Sequence, residues 1–170
     1  GQGFKEISMP KGASEIKIAT SEGRVTIYGV SMETNKGSTW ETFGVAGSSV
    51  RSMRNQPKEH IVKQVAARNP HLIVYWTGGN ELGYPSLKSK TGRAYKKLYR
   101  SAIEKLKSGA PNASCLLIGP LDQGTRERGK IISKKTLKKI IKFQSEVAES
   151  MGCAYWNARA SMGGEGAIKR

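Results

Sequence analysis

The sequence predicts an α/β fold: a parallel sheet between layers of helix (three-layer α/β/α, flavodoxin-like), preceded by a short antiparallel β segment. Two observations carry this. From Trp40 onward, short apolar runs alternate with amphipathic stretches of helical period, as in a parallel sheet with crossover helices. Before that, residues 15–30 alternate polar and apolar side chains about a glycine turn, as half-buried antiparallel strands do. The chain therefore divides into a β-hairpin segment over 1–38 and an α/β domain over 39–170.

In the first segment Glu15-Ile16-Lys17-Ile18-Ala19-Thr20 and Arg24-Val25-Thr26-Ile27-Tyr28-Gly29-Val30 read as strands joined by Ser21-Glu22-Gly23, and Met9-Pro10-Lys11-Gly12 as a further turn. Two or three strands alone bury too little to be stable, so this segment needs a partner. Thr42 to Val45 reads as a short strand. Helices follow over 48–54 and 57–68, the second with Ile61, Val62, Val65 and Ala66 on one face and Pro57 near its first turn. Residues 71–77 form the next strand. A helix over 92–108 places Tyr95, Leu98, Ala102, Ile103 and Leu106 on one stripe, and Gly109 and Pro111 stop it. Residues 115–118 are a strand running into Gly119-Pro120. A helix over 133–151 buries Leu137, Ile140, Ile141, Gln144 or Val147, and Ala148, and residues 153–156 form the last strand.

At 170 residues the chain is long enough for one domain with a substantial core. No stretch approaches the roughly 18–20 apolar residues of a membrane-spanning helix. The sequence opens at Gly1 with neither an initiator Met nor a signal-peptide pattern, and reads as a processed or excised fragment. Its net charge is +16, concentrated over 88–107 and 126–142, where lysine and arginine heavily outnumber the acids Glu104 and Glu127. Such helices would attract a polyanion, although the same pattern also serves as an ordinary solvated face. No nucleic-acid-binding motif accompanies the charge. Cys115 and Cys153 lack metal-ligand spacing and read as buried free thiols on two strands, with a disulfide left open.

In such a sheet the segments just after each strand form the site. Here these are 44–49, 78–81, 119–123 and 157–164. The run Leu72-Ile73-Val74-Tyr75-Trp76-Thr77 breaks into Gly78-Gly79-Asn80-Glu81, and Phe43-Gly44-Val45-Ala46-Gly47-Ser48-Ser49 lies about thirty residues upstream. Glycine lets a backbone N–H approach a ligand, and asparagine offers an NH₂ donor on a short stem. One backbone N–H plus one Asn amide supplies much of an oxyanion hole.

The paired turns resemble blocks II and III of the SGNH (GDSL-like) hydrolase superfamily, and the order Gly turn, helix, Asn69-Pro70-His71-Leu72-Ile73-Val74, then Gly-Gly-Asn matches as well. Leu117-Ile118-Gly119-Pro120 and the segment from Trp156-Asn157 to Gly166 are similar to parts of bacterial envelope esterases of that superfamily, which act on carbohydrate or peptidoglycan O-acetyl groups. Residues 25–33 resemble the tail of the β-sandwich that such enzymes insert between blocks I and II. The resemblance implies an oxyanion hole made by the Gly47 N–H and the Asn80 side chain, with Ser48 and Glu81 as possible substrate contacts. It implies no cofactor and no metal. It also implies an extracytoplasmic location and an acylated envelope polymer as substrate.

Block I, with its nucleophilic Ser in Gly-Asp-Ser, and block V, with the Asp-x-x-His base, do not occur in these 170 residues. They are expected in flanking segments of the same protein, which leaves this fragment alone inert. His60 and His71 sit on the helix before the strand and at its amino end, away from the expected site. Ser48 and Ser49 suit the start of the following helix. Glu81 and Asp122 are carboxylates near the site edge whose commoner fates are caps, turn bonds and salt bridges. The alternative reading is a non-catalytic basic α/β module that binds an anionic glycan or nucleic acid.

Overall fold

The apolar runs of the α/β region pair as a parallel sheet in a computed structural model that describes residues 3–34 and 36–169. The chain forms two units, Gly1–Phe43 and Gly44–Arg170. In chain order the second comprises α1 (Val50–Asn55), α2 (Lys58–Arg68), β1 (Leu72–Trp76), α3 (Arg93–Gly109), β2 (Ser114–Ile118), β3 (Gly124–Glu127), β4 (Lys130–Ser133), α4 (Thr136–Ser150), β5 (Ala154–Trp156) and α5 (Ala158–Ser161). A single 3-10 turn over Pro85–Leu87 precedes α3.

The sheet runs β1-β2-β5, with Val74 opposite Leu116 and Leu116 opposite Ala154. After Leu72, β1 is made of β-branched and aromatic residues that favour this pleated surface. Each step along the sheet goes the same way, from β1 through α3 to β2 and through α4 to β5. Because such crossovers are right-handed, α3 and α4 must lie on one face. They do so with the apolar stripes expected of them. Tyr95, Tyr99, Ala102 and Ile103 of α3, and Leu137, Ile140, Phe143, Gln144, Val147 and Ala148 of α4, are buried. The expected Leu98, Leu106 and Ile141 lie half-buried at the stripe edges.

Among the described residues the opposite face is only partly covered: Leu72, Trp76 and Trp156 are 46%, 58% and 51% exposed, while Ile118 between the two tryptophans is buried. The α/β class with a parallel sheet is therefore as expected, while α3 and α4 form one helical layer where the sequence predicts layers on both faces. α2 packs against the end of α3, where a Cβ on Gly109 would come within 2.7 Å of the Val62 carbonyl oxygen. The Lys105 ammonium donates to the Met53, Arg54 and Gln56 carbonyls at 3.0, 2.7 and 2.7 Å, satisfying the end of α1.

Three expectations need correction. The antiparallel strands expected over 15–30 and the short strand at 42–45 are not formed; the described residues of the first unit hold turns but no strand. The turns are in place: Ala13 N–H donates to Pro10 O at 3.2 Å, and Gly12 and Gly23 take positive φ. The alternating side chains Ile16, Ile18, Val25 and Ile27 all remain exposed, as a strand pattern must when no third strand or helix covers it. The antiparallel pair lies instead in β3 and β4, joined by Arg128-Gly129, both at positive φ. Finally, Cys115 and Cys153 are not free thiols but a disulfide. The register that sets Leu116 beside Ala154 places the preceding residues opposite each other, with their Cα atoms 4.9 Å apart.

Candidate functional site

The carboxyl ends of β1 and β2 open onto a cleft of about 420 Å³, walled by residues 44–46 and Ser48, by 76–80, and by Pro120, Leu121 and Gln123. The two glycine turns thus meet, although they are thirty residues apart in the chain. Ser48 N–H donates to Val45 O at 3.0 Å and closes the first turn, in which Gly47 takes a φ of 76° that a side chain would resist. Gly47 itself is exposed, beside the cleft wall rather than in it. The Asn80 amide donates to the Ser48 carbonyl at 2.7 Å. An NH₂ group carries two donors, so this bond orients the amide and leaves its second N–H available.

Two more bonds fasten the same pair of turns. The Val50 N–H, at the start of α1, donates to Glu81 Oε1 at 2.8 Å, and the Thr77 hydroxyl donates to the same oxygen at 2.5 Å. The Tyr84 and Ser49 hydroxyls lie 2.7 Å apart, with the Arg51 guanidinium 4.1 Å above the Tyr84 ring. Ser49 is the N-cap residue of α1, in keeping with the capping expected there. Ser48 lines the cleft and is half-buried. Glu81, a possible substrate contact, is fully buried and faces the protein, and so meets the commoner fate expected for it, a bond to the start of a helix. Its motif position is a strand-to-turn corner, where a carboxylate reaches back to an unpaired helix N–H more readily than out to a ligand. Glu81→Ala is expected to cost about 2 kcal/mol, because it orphans the Val50 N–H. Urea denaturation measures the loss, and hydrogen exchange at Val50 shows whether the α1 start has loosened.

Beneath the turns lies a polar hub that the sequence shows only as one polar residue in the apolar stripe of α4. Gln144, fully buried, donates through Nε2 to Thr77 O at 3.2 Å and to the Tyr95 hydroxyl at 3.1 Å, and accepts from the Tyr155 hydroxyl at 3.4 Å. Gly78 passes directly over it at a φ of 120°; a Cβ there would lie 2.9 Å from Pro120 Cδ and 3.0 Å from Gln144 Nε2. Gln123 Nε2 donates to Gly79 O at 3.2 Å, and Trp76 Nε1 to Gly119 O at 3.1 Å. Burial pushes the hydroxyls of Tyr75, Tyr95, Tyr99 and Tyr155 well above the usual tyrosine range. They stay neutral and supply no base; those of Tyr95 and Tyr155 bond to Gln144, whereas the buried Tyr99 hydroxyl has no partner among the described residues.

Behind the cleft, Asp122 forms a buried salt bridge with Arg159, Nε to Oδ1 at 2.8 Å. Its Oδ2 accepts from the Ser133 hydroxyl and from the Gly166 and Ile168 N–H groups at 2.7, 3.1 and 3.2 Å. It is a structural anchor, one of the fates expected for it. His71 lies at the amino end of β1, the edge opposite the cleft, and His60 lies in α2. Among the described residues no group of three or more His, Cys, Asp or Glu side chains could hold a metal ion.

Fold and cleft together define an α/β chain with donor-rich turns at the carboxyl edge of a parallel sheet. A solved structure of a peptidoglycan O-acetylesterase shares this fold, with a TM-score of 0.60 and 17% sequence identity. The similarity covers 72% of this chain and 34% of that one, so the chain spans about a third of the enzyme it matches. The likeness is one of fold, and it agrees with the SGNH-like resemblance of the two turns. No family model matches the sequence, and no curated protein does.

Proposed function

We propose that the cleft is the oxyanion-binding half of an acyl-transfer site, in an SGNH-type serine esterase that deacetylates a cell-envelope or other carbohydrate polymer. The observation that carries this reading is the 2.7 Å bond from the Asn80 amide to Ser48 O, which draws the Gly47 turn and the Gly-Gly-Asn turn to one cleft. In this mechanism a serine attacks the acetyl carbonyl and a histidine takes its proton, both supplied by segments outside these 170 residues. The tetrahedral oxyanion is held by the Gly47 N–H and the second N–H of Asn80. Held donors of this kind stabilise charge that develops only in the transition state, so they act on kcat.

In protein carrying its flanking sequence, Asn80→Ala is expected to lower kcat for acetyl-ester hydrolysis by about 10²–10³ with little change in KM. An unchanged rate would sink the assignment. The 170-residue chain alone is expected to hydrolyse nothing. An oxidising, extracytoplasmic location is supported by the Cys115–Cys153 disulfide. The basic helices favour a second reading, a binding module without turnover. Phosphonate labelling of the full-length protein separates the two, since only the esterase carries a nucleophilic serine to label.

A further inference from the structure

The strongest feature that the oxyanion reading leaves unused is charge at the wrong ends of two helices. α3 and α4 run antiparallel to the strands they connect, so both begin at the carboxyl edge of the sheet, the edge that opens onto the cleft. A helix start carries partial positive charge and favours acids. Neither helix has an acid in its first turn. α3 opens instead with Arg93, Lys96 and Lys97, and α4 is preceded by Lys134 and Lys135 and continues with Lys138 and Lys139.

The two starts also touch. Lys139 Nζ donates to Leu87 O at 3.2 Å, and the Phe143 ring lies against Gly92, where a Cβ would come within 2.2 Å of it. Lys88, Lys90, Arg93, Lys97 and Lys135 are exposed, and among the described residues none of them pairs with a carboxylate. The acids nearby are already engaged: Glu146 by Lys96 and Lys142, Glu165 by Lys138. Cations gathered where the helix dipole opposes them lower the stability of the fold. A bound polyanion would offset both the dipole and their mutual repulsion.

We propose that the joined starts of α3 and α4 form a binding ridge for an anionic glycan chain, adjacent to the cleft. The proposal rests on the carbohydrate reading above and extends it: the ridge would grip the charged stretch of a polymer while the cleft addresses its ester. A glycan is favoured over single-stranded nucleic acid because the aromatic rings at the ridge, Tyr95 and Phe143, are buried and offer no base a stacking surface. The disulfide points to the same compartment as such polymers.

The test is binding of fluorescein-labelled heparin oligosaccharide to the 170-residue chain, which needs no turnover and so can succeed or fail independently of hydrolysis. The combined variant Lys88→Gln, Arg93→Gln, Lys97→Gln and Lys135→Gln is expected to weaken binding at least about tenfold and to flatten its salt dependence. Its melting temperature should equal or exceed that of the parent. Removing the same charge from the first unit, with Lys5→Gln, Lys11→Gln, Lys17→Gln and Arg24→Gln, is expected to leave affinity within about twofold. Equal loss in both variants would show attraction by net charge alone and overturn the ridge. A lower melting temperature in the ridge variant would assign those cations a structural role and overturn it too. Single-stranded DNA of equal charge binding more tightly than heparin would overturn the glycan assignment.

Discussion

Asp122→Ala is expected to destabilise the α/β unit by about 3–5 kcal/mol, the range for breaking a buried ion pair from one side. The carboxylate is 2% exposed and Arg159 6%. Removing it strands a guanidinium in the interior and leaves the Ile168 N–H and the Ser133 hydroxyl without their acceptor, while the Gly166 N–H keeps its 2.8 Å bond to Ser133 Oγ. Urea denaturation at pH 7 measures the loss; a midpoint close to that of the parent would refute it. The pH dependence has a definite sign. Burial alone would raise the Asp122 pKa, but the Arg159 guanidinium, the Ser133 hydroxyl and the Ile168 N–H outweigh it and hold the value below the ordinary carboxylate range. A depressed folded pKa stabilises in full above the unfolded value, near 4, and that stability is lost as pH falls through the folded value. Asp122→Asn, which keeps the shape but not the charge, should therefore remove part of the acid-induced loss of stability seen in the parent below about pH 4.

Residues with a strong local signal reveal most of this fold. The stripes of α3 and α4 and the run Leu72–Trp76 fix the helices, the strand and the edge where a site belongs, since each is set by side chains a few positions apart. What the sequence misses is set by distant neighbours. The alternation of Ile16, Ile18, Val25 and Ile27 is a sound strand pattern, but a pattern does not supply the surface a strand must pair with. The β3–β4 hairpin turns on Arg128-Gly129 in place of the usual Asn-Gly or Asp-Gly, and its strands are charged, so period-2 reading passes over it. Gln144 is visible only as an interruption in an apolar stripe; its role as a hub depends on Tyr95, Tyr155 and Thr77, which three other segments bring to it.

The site divides along the same line. The features that single out Gly47 and Asn80 are local, a glycine that takes a positive φ and a short amide just after a strand, and their part in an oxyanion hole is the proposal made above. The fate of Glu81 is legible only as a class, a cap or turn bond; which group it holds depends on the start of α1 lying 2.8 Å away. A motif therefore gives the types of donor that a cleft will hold, while packing decides which of its polar neighbours face the ligand and which face inward.

Replacing both cysteines, Cys115→Ala with Cys153→Ala, is expected to cost about 4 kcal/mol, the loop-closure entropy of a crosslink spanning 38 residues. The bond closes the chain from β2 through the β3–β4 hairpin and α4 to β5, so opening it releases the whole second crossover in the unfolded state. Denaturant midpoints with and without reductant provide the check. The parent should lose stability on reduction, and the double variant should be indifferent to it. A parent that unfolds at the same midpoint in both conditions would show that the bond contributes nothing. The crosslink sits at the amino ends of β2 and β5, whereas the cleft lies at the carboxyl ends, where Gly119 N–H donates to Trp156 O at 2.9 Å. Its loss should therefore lower stability while leaving the Asn80–Ser48 geometry intact below the melting temperature. Under the oxyanion proposal, protein carrying the expected flanking segments and both cysteine substitutions, assayed well below its melting point, should keep the parent's KM and kcat, whereas Asn80→Ala should lose kcat without losing the disulfide's share of stability.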